Sequence, residues 1–420
     1  MEIIIKGVTI LDPKGPHHGS KKDVSILDGT IAAIEANIDA PETAEVWEES
    51  GAHLSLGWMD LQADFAEPGA EPKEGLDNGL AAANAGGFTH VVLNVTQEPI
   101  PDTKSNIAYL ISRSEEAATR LLPLGTVSKG GAGKQLAEMR DLAESGAVGF
   151  SDDAPLDSVE MLRRALEYSH GMAQPIMTCP LELGLNAHPQ MHEGATSTHM
   201  GVVGNPHVSE TMRIKRDLDV LRYTGGKLHF TCISAAESVE LIRAAKAEGL
   251  QVSCATSAHH LFFVDEDLSA FDGTIKTLPP FREHSDREAL CAGVLDGTID
   301  AIISDHRPED LEHHDVEFML ATYGMVGIET VYPVAKAALA HAEDATAEAA
   351  IVRALTAGPR SVLGWDTPHI EVGAKADLTW FHPSHAAAQH RVTKGANRPE
   401  YSNRAVAYSG KGTALRTLRG

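Results

Sequence analysis

Long apolar runs are missing from this chain of 420 residues. No stretch approaches the length needed to cross a bilayer, and the N-terminus lacks the basic start, apolar run and small-residue cleavage site of a secretory leader. The expectation is a soluble, cytoplasmic protein. Cysteine is scarce too. Cys179, Cys232, Cys254 and Cys291 are too few and too widely spaced for a secreted disulfide framework. Basic residues fall short of acids, with 35 Lys and Arg against 59 Asp and Glu, a formal charge of −24. That balance repels nucleic acid and anionic membrane surfaces and argues against both as partners. The excess reads as a solvated acidic face, which salt adaptation alone would produce.

What is present fits one large domain with a smaller one, since 43% of the residues are hydrophobic and can bury a sizeable core. The first 50 residues alternate short apolar runs with turn signals, and Asp28-Gly29 between two such runs predicts a hairpin. Beyond Trp58 the pattern changes to apolar strand-like runs followed by Ala-rich helical stretches. HVVLNV (90–95), GAVGFSDD (146–153), QPIMTC (174–179), KLHFTCIS (227–234), LQVSCATS (250–257) and IDAIISD (299–305) are the strand candidates. Repeated strand-then-helix units favour a parallel sheet, most economically a (β/α)8 barrel. Strand character returns in GAKADLTWFHP (373–383) and RAVAYSG (404–410). The expected architecture is α/β: a barrel over 56–364 and a small composite β domain from 1–55 together with 365–420.

GWMDLQADFAEPGAEPKEGLDNGLAAANAGGFTHVV resembles the first barrel strand and following helix of dihydroorotases, members of the amidohydrolase superfamily. GAVGFSDD, MHEGATSTHMGVVGNPHVSE, KTLPPFREHSDREALCAGVLDGTIDAIISDHRPED, YGMVGIETVYPV and VGAKADLTWFHP continue the resemblance in order along nearly the whole chain. It implies an amidohydrolase TIM barrel. It also implies a set of site positions. The family's first strand carries His-x-His, which holds zinc, and two residues later an Arg that grips the substrate carboxylate. Here Gln62, Asp64 and Ala66 stand at those places. Two later histidine ligands fall on Cys179 and Cys232, while the carboxylate positions survive as Asp153, with Asp152 beside it, and as Asp305, the ligand and general acid/base position. Zinc favours imidazole, thiolate and carboxylate, so the neutral amide of Gln62 is a poor replacement.

The substrate positions change as well. An asparagine aligns with Thr96 and a histidine with Glu309, so the carboxylate of dihydroorotate would meet Ala66, Thr96 and Glu309. Each lost charge-assisted hydrogen bond is worth roughly 1.5–3 kcal/mol. Ligands and clamp have changed together, as in a chain relieved of the reaction. The resemblance therefore implies a dihydroorotase-like protein of pyrimidine biosynthesis that has lost hydrolase activity. It would carry no metal, assemble as a homo-oligomer and act as a structural partner of aspartate transcarbamoylase. The alternative is an active zinc-dependent hydrolase of dihydroorotate or a related cyclic ureide, with a remodelled site of Asp64, Asp153, Cys179, Cys232 and Asp305.

Other motifs carry less. GGAGKQ (130–135) resembles a phosphate-binding loop but has Gln135 where a magnesium-reaching Ser or Thr is needed. HRPEDLEHHD (306–315) reads as a polar loop at the barrel mouth, and adjacent His313 and His314 would point apart. His259 and His260 read as structural, and the cysteines read as small buried hydrophobes.

Overall fold

Asp28 and Gly29 both adopt positive φ, +48° and +76°, and join Lys21–Leu27 to Thr30–Glu35 with Leu27 opposite Thr30. This is the two-residue turn whose twist suits paired strands. The computed structural model describes residues 2–185, 188–386, 392–395 and 411–419. In it the hairpin belongs to a seven-stranded sheet that also holds Glu2–Leu11, Glu45–Glu48, His53–Leu56, Leu378–Ala386 and Lys411–Leu418. The two ends of the chain meet where Leu378–Ala386 pairs antiparallel with His53–Leu56. The run RAVAYSG lies outside the described residues.

Between these ends lies a (β/α)8 barrel. Trp58–Ala63, Phe88–Leu93 and Arg120–Pro123 pair in parallel, as do Ile176–Thr178, Leu228–Phe230, Val252–Ser257 and Ala301–Ile303. Phe150 bridges the two groups through Gly125 and Ile176, and Ala63 closes the circuit against His306. GAVGFSDD thus takes the fourth strand's place, its backbone at residues 148–151 hydrogen-bonded to Pro123 and Gly125 on one side and to Pro175 and Met177 on the other. Its tail is drawn aside because Asp152 accepts from the Val127 and Ser128 amides at 2.9 and 3.0 Å and from the Ser128 hydroxyl at 2.6 Å.

The helices follow the amphipathic rule. Val159–Tyr168 buries Met161, Leu162, Ala165 and Leu166 on one face, and the Ser158 hydroxyl accepts from the Met161 amide at its start. Apolar side chains fill the barrel interior, Met59, Leu61, Val92, Leu122, Met177, Ala255 and Ile303 among them, and Cys232 packs with them. A second core lies between barrel and helices, and a third in the terminal sheet. The seam between barrel and sheet is tight. Trp58 is fully buried and stacks on Tyr332 with centroids 5.2 Å apart, and a Cβ at Gly57 would fall 2.1 Å from an Asp377 carboxylate oxygen. Among the described residues no helix is long and apolar enough to cross a membrane.

Candidate active site

The residues singled out above gather at the C-terminal ends of the barrel strands, where this architecture places its chemistry. Asp64 and Ala66 follow the first strand, Thr96 the second, Cys179 follows Thr178, Cys232 follows Phe230, and Asp305 follows Ile303. Three of these turns are held in left-handed backbone: φ is +57° at Ala66, +51° at Asp153 and +45° at Asp305. Such a conformation costs a non-glycine residue about 1 kcal/mol or more, so the surrounding fold imposes it.

At the centre lies a residue that the sequence reading passed over. Arg307 spans the mouth with two guanidinium nitrogens on Asp153, at 3.1 and 3.3 Å, and its Nε on Asp305 at 3.2 Å. The loop that carries it is fixed from behind, because the Arg307 amide donates to the Met325 carbonyl at 2.8 Å and Gly324 lies too close to that backbone to accept a Cβ. Burial opposes the guanidinium charge, but Asp153, Asp305 and Asp64 outweigh it and hold the group well above its usual range. Arg307 is a permanent cation fixed among three carboxylates.

The remaining positions are engaged with one another. Gln62 donates its side-chain amide to Asp305 at 2.7 Å. Asp64 accepts from the Ala66 amide and the Thr96 hydroxyl, each at 2.8 Å, and burial pushes its carboxyl up despite both bonds and Arg307. Glu309 pairs with Lys73 at 2.8 Å, so the like charge expected to face a substrate is answered by a lysine that the sequence reading also missed. Asp60 was overlooked as well. It is fully buried beneath the site, accepts from the Ser304 hydroxyl and from the Ser304 and Gln62 amides, and burial pushes its carboxyl up to about 7.

Cys179 and Cys232 are free thiols. Burial first, then the charges of Asp153 and Asp305, push Cys179 up to about 12, with Arg307 opposing. Cys232 is raised for the same leading reason, and its sulfur lies 3.9 Å from His260 Nδ1. His260 is neutral through burial and structurally committed, donating from Nε2 to the Pro279 carbonyl while Nδ1 accepts from the Ser257 hydroxyl. His306 is buried against the edge of Phe65. His313 sits in a four-residue helix whose N-cap, Asp310, accepts from its amide at 3.2 Å.

A zinc pair does not fit these residues. No imidazole stands at the first-strand positions, Gln62 offers only a neutral amide, and Asp153 and Asp305 are already bound to a guanidinium. Among the described residues, three possible ligand atoms come within 4.8 Å of one another in only two places, Glu49/His382/His385 and Glu309/Asp310/His313. In the first, His382 already uses both nitrogens, accepting from the Ser384 and His385 amides and donating to the Ser50 carbonyl. The second consists of the lysine-paired Glu309, the helix cap Asp310 and His313, whose Nδ1 lies 2.5 Å from the Asp310 carboxylate.

Residues 52–238 match the family model described as dihydro-orotase-like. A dihydroorotase of Geotalea daltonii is 35% identical over 405 residues, covering 95% of this chain and 94% of the relative. One of Pelotomaculum thermopropionicum is 37% identical over 403 residues, with the same two coverages of 95% and 94%. In fold, the chain matches an L-hydantoinase (dihydropyrimidinase) of Arthrobacter aurescens at a TM-score of 0.83 and 18% identity, covering 100% of this chain and 95% of that one. A dihydropyrimidinase of Brevibacillus agri matches at a TM-score of 0.77 and 18% identity, over 100% and 94%. With identity at this level sustained along almost its entire length, the chain belongs to the dihydroorotase family of amidohydrolase-type barrels.

Proposed function

We propose that this protein is a dihydroorotase-like member of pyrimidine biosynthesis that no longer hydrolyses its family's substrate and serves as a structural or assembly partner of aspartate transcarbamoylase. The observation that carries the first part is Arg307 bound to Asp153 and Asp305. A metal-dependent hydrolase lowers the pKa of a bound water to about 7 and so makes hydroxide available. A guanidinium neutralises the same carboxylates but cannot coordinate a water or take up its proton. Asp305, the position of the family's acid/base, then has no activated water to serve and accepts from Gln62 and Arg307 instead. The clamp for a substrate carboxylate is gone too, since Ala66 offers a methyl group, Thr96 is spent on Asp64 and Glu309 on Lys73.

The partner and a homo-oligomeric state rest on the family resemblance. A second reading, an active hydrolase of a cyclic amide, has support in the names of the relatives and in the survival of Asp153 and Asp305. It requires Arg307 to leave its carboxylates and a cation to enter. The two readings separate when the purified chain is incubated with dihydroorotate, and with carbamoyl aspartate for the reverse reaction, with and without a chelator, and is then run with aspartate transcarbamoylase over a sizing column. The silent reading expects no turnover in either direction and a shared elution peak. Turnover that a chelator abolishes overturns it, and separate peaks overturn the assembly role.

A further inference from the structure

A large cavity lies at the other end of the barrel from Asp305. It has a volume of about 810 Å³ and is bounded by the start of two barrel strands, at His90 and Arg120, by the Trp365–Pro368 turn and by the approach to the C-terminal strand at Lys375. In this architecture that end normally serves stability alone. Here it collects positive charge in a chain whose net charge is −24. Arg120, Arg360, Lys375 and Arg419 all line it.

Among the described residues only Arg360 of these cations has a carboxylate partner. Arg360 is bound to Asp377 at 2.6 Å and to the Gly57 and Thr356 carbonyls at 3.0 Å. Arg419 donates to the backbone carbonyl of Glu115 at 3.0 Å, and neither it nor Arg120 nor Lys375 forms an ion pair among the described residues. Two lining acids, Glu115 and Asp366, are likewise without an ion pair there. The arginines stand close enough to act on one another: burial and the charge of Arg120 both push the Arg419 guanidinium down, against the opposing pull of Asp377. Beside them His90 is held neutral, pushed down to about 4 by burial with Arg360, Arg120 and Arg419 adding to it against Asp377. Four cations face three carboxylates here, and Arg120 and Arg419 stand together with none of those carboxylates in ion-pair contact among the described residues, a cost that a bound anion would lower.

The cavity also offers a flat surface. Trp365 is 37% exposed at its wall, and its ring is held edge-on to His90 with centroids 6.2 Å apart. The other three tryptophans, Trp47, Trp58 and Trp380, are 6%, 0% and 7% exposed. Guanidinium groups match phosphate oxygens in geometry, and an exposed indole suits a planar ring.

We propose that this cavity binds a small phosphate ester carrying a planar ring, of mononucleotide size, with Arg120, Arg419 and Lys375 on the phosphate and Trp365 on the ring. This site stands apart from the barrel mouth and does not depend on whether the mouth is catalytic. The probes are AMP, UMP and inorganic phosphate, titrated into the whole chain by calorimetry and by tryptophan fluorescence. Both nucleotides should bind more tightly than phosphate and quench the emission, and Trp365→Phe should remove the quenching. Losing the charge-assisted bonds of two arginines should weaken nucleotide binding at least about tenfold in Arg120→Ser/Arg419→Ser. Thermal melts verify that each variant is folded, and Lys375→Ser, on an exposed side chain, provides an independent and milder loss. Absence of nucleotide binding, unchanged affinity in the folded arginine variant, or phosphate binding as tightly as nucleotide overturns the proposal.

Discussion

Removing the guanidinium from the barrel mouth is the sharpest perturbation of the site. In Arg307→Ala, Asp153 and Asp305 lose three charge-assisted hydrogen bonds, and Asp64 loses its neighbouring cation. Deleting one partner of a buried ion pair costs about 3–5 kcal/mol. Here the Arg307 side chain is 28% exposed and Asp153 22%, so water recovers part of the loss and about 3 kcal/mol is the working value. With an unfolding entropy near 2.1 cal/mol/K per residue, a chain of this length shifts by about 1 °C per kcal/mol, giving a fall of about 3 °C. The same deletion leaves three carboxylates facing a space from which a cation has been withdrawn. Manganese or zinc should therefore raise the melting temperature of the variant, by about 2.7 kcal/mol of stability at a hundredfold excess over the dissociation constant, and leave the wild type unmoved. Differential scanning fluorimetry with and without metal reads both effects. A variant that melts within experimental error of the wild type, or a wild type that gains as much from the metal, refutes the idea that Arg307 stands in for the cation.

Asp60 makes a pH prediction. Its carboxyl is raised from an ordinary 3.8 to about 7, so its contribution to stability is fully present below about pH 4 and is lost as the pH rises through about 7. Relative to Asp60→Asn, the wild type should lose stability over that window, on the order of 4 kcal/mol, in denaturant melts at its two ends. Parallel pH profiles for the two proteins would rule this out. The cysteines predict slow chemistry: with Cys179 raised to about 12, Cys291 to about 11 and Cys232 and Cys254 also raised by burial, native protein at pH 8 should react with a disulfide reagent far more slowly than denatured protein, which should titrate all four thiols. A rapid native burst would contradict the protonated state argued for the mouth.

What could be read from the sequence follows the range of the signals. The Asp28-Gly29 turn and the strand in HVVLNV are local, set by backbone preference and apolar runs, and the structure shows Leu27 opposite Thr30 and a strand at Phe88–Leu93. GAVGFSDD reads as a strand from its apolar residues, and residues 148–151 do pair with both neighbours, while the side chain of Asp152 turns to the loop at Val127 and Ser128, which nothing local announces. At the mouth, family spacing located Gln62, Asp64, Asp153 and Asp305, but not what neutralises them. HRPEDLEHHD has the composition of a solvated loop, and nothing local marks Arg307 as reaching back across the barrel to Asp153. The available signal was a deficit: several carboxylates gathered at one mouth without the first-strand imidazoles need a counter-charge, and Arg307 lies just beyond Asp305. Lys73 was hidden in the same way, since its partner Glu309 is remote in sequence.

The most direct test of the guanidinium-filled mouth is the zinc content of protein purified without added metal or chelator, measured by inductively coupled plasma mass spectrometry. The account predicts far less than one zinc per chain. Two zinc ions per chain, retained through exhaustive dialysis, would contradict it.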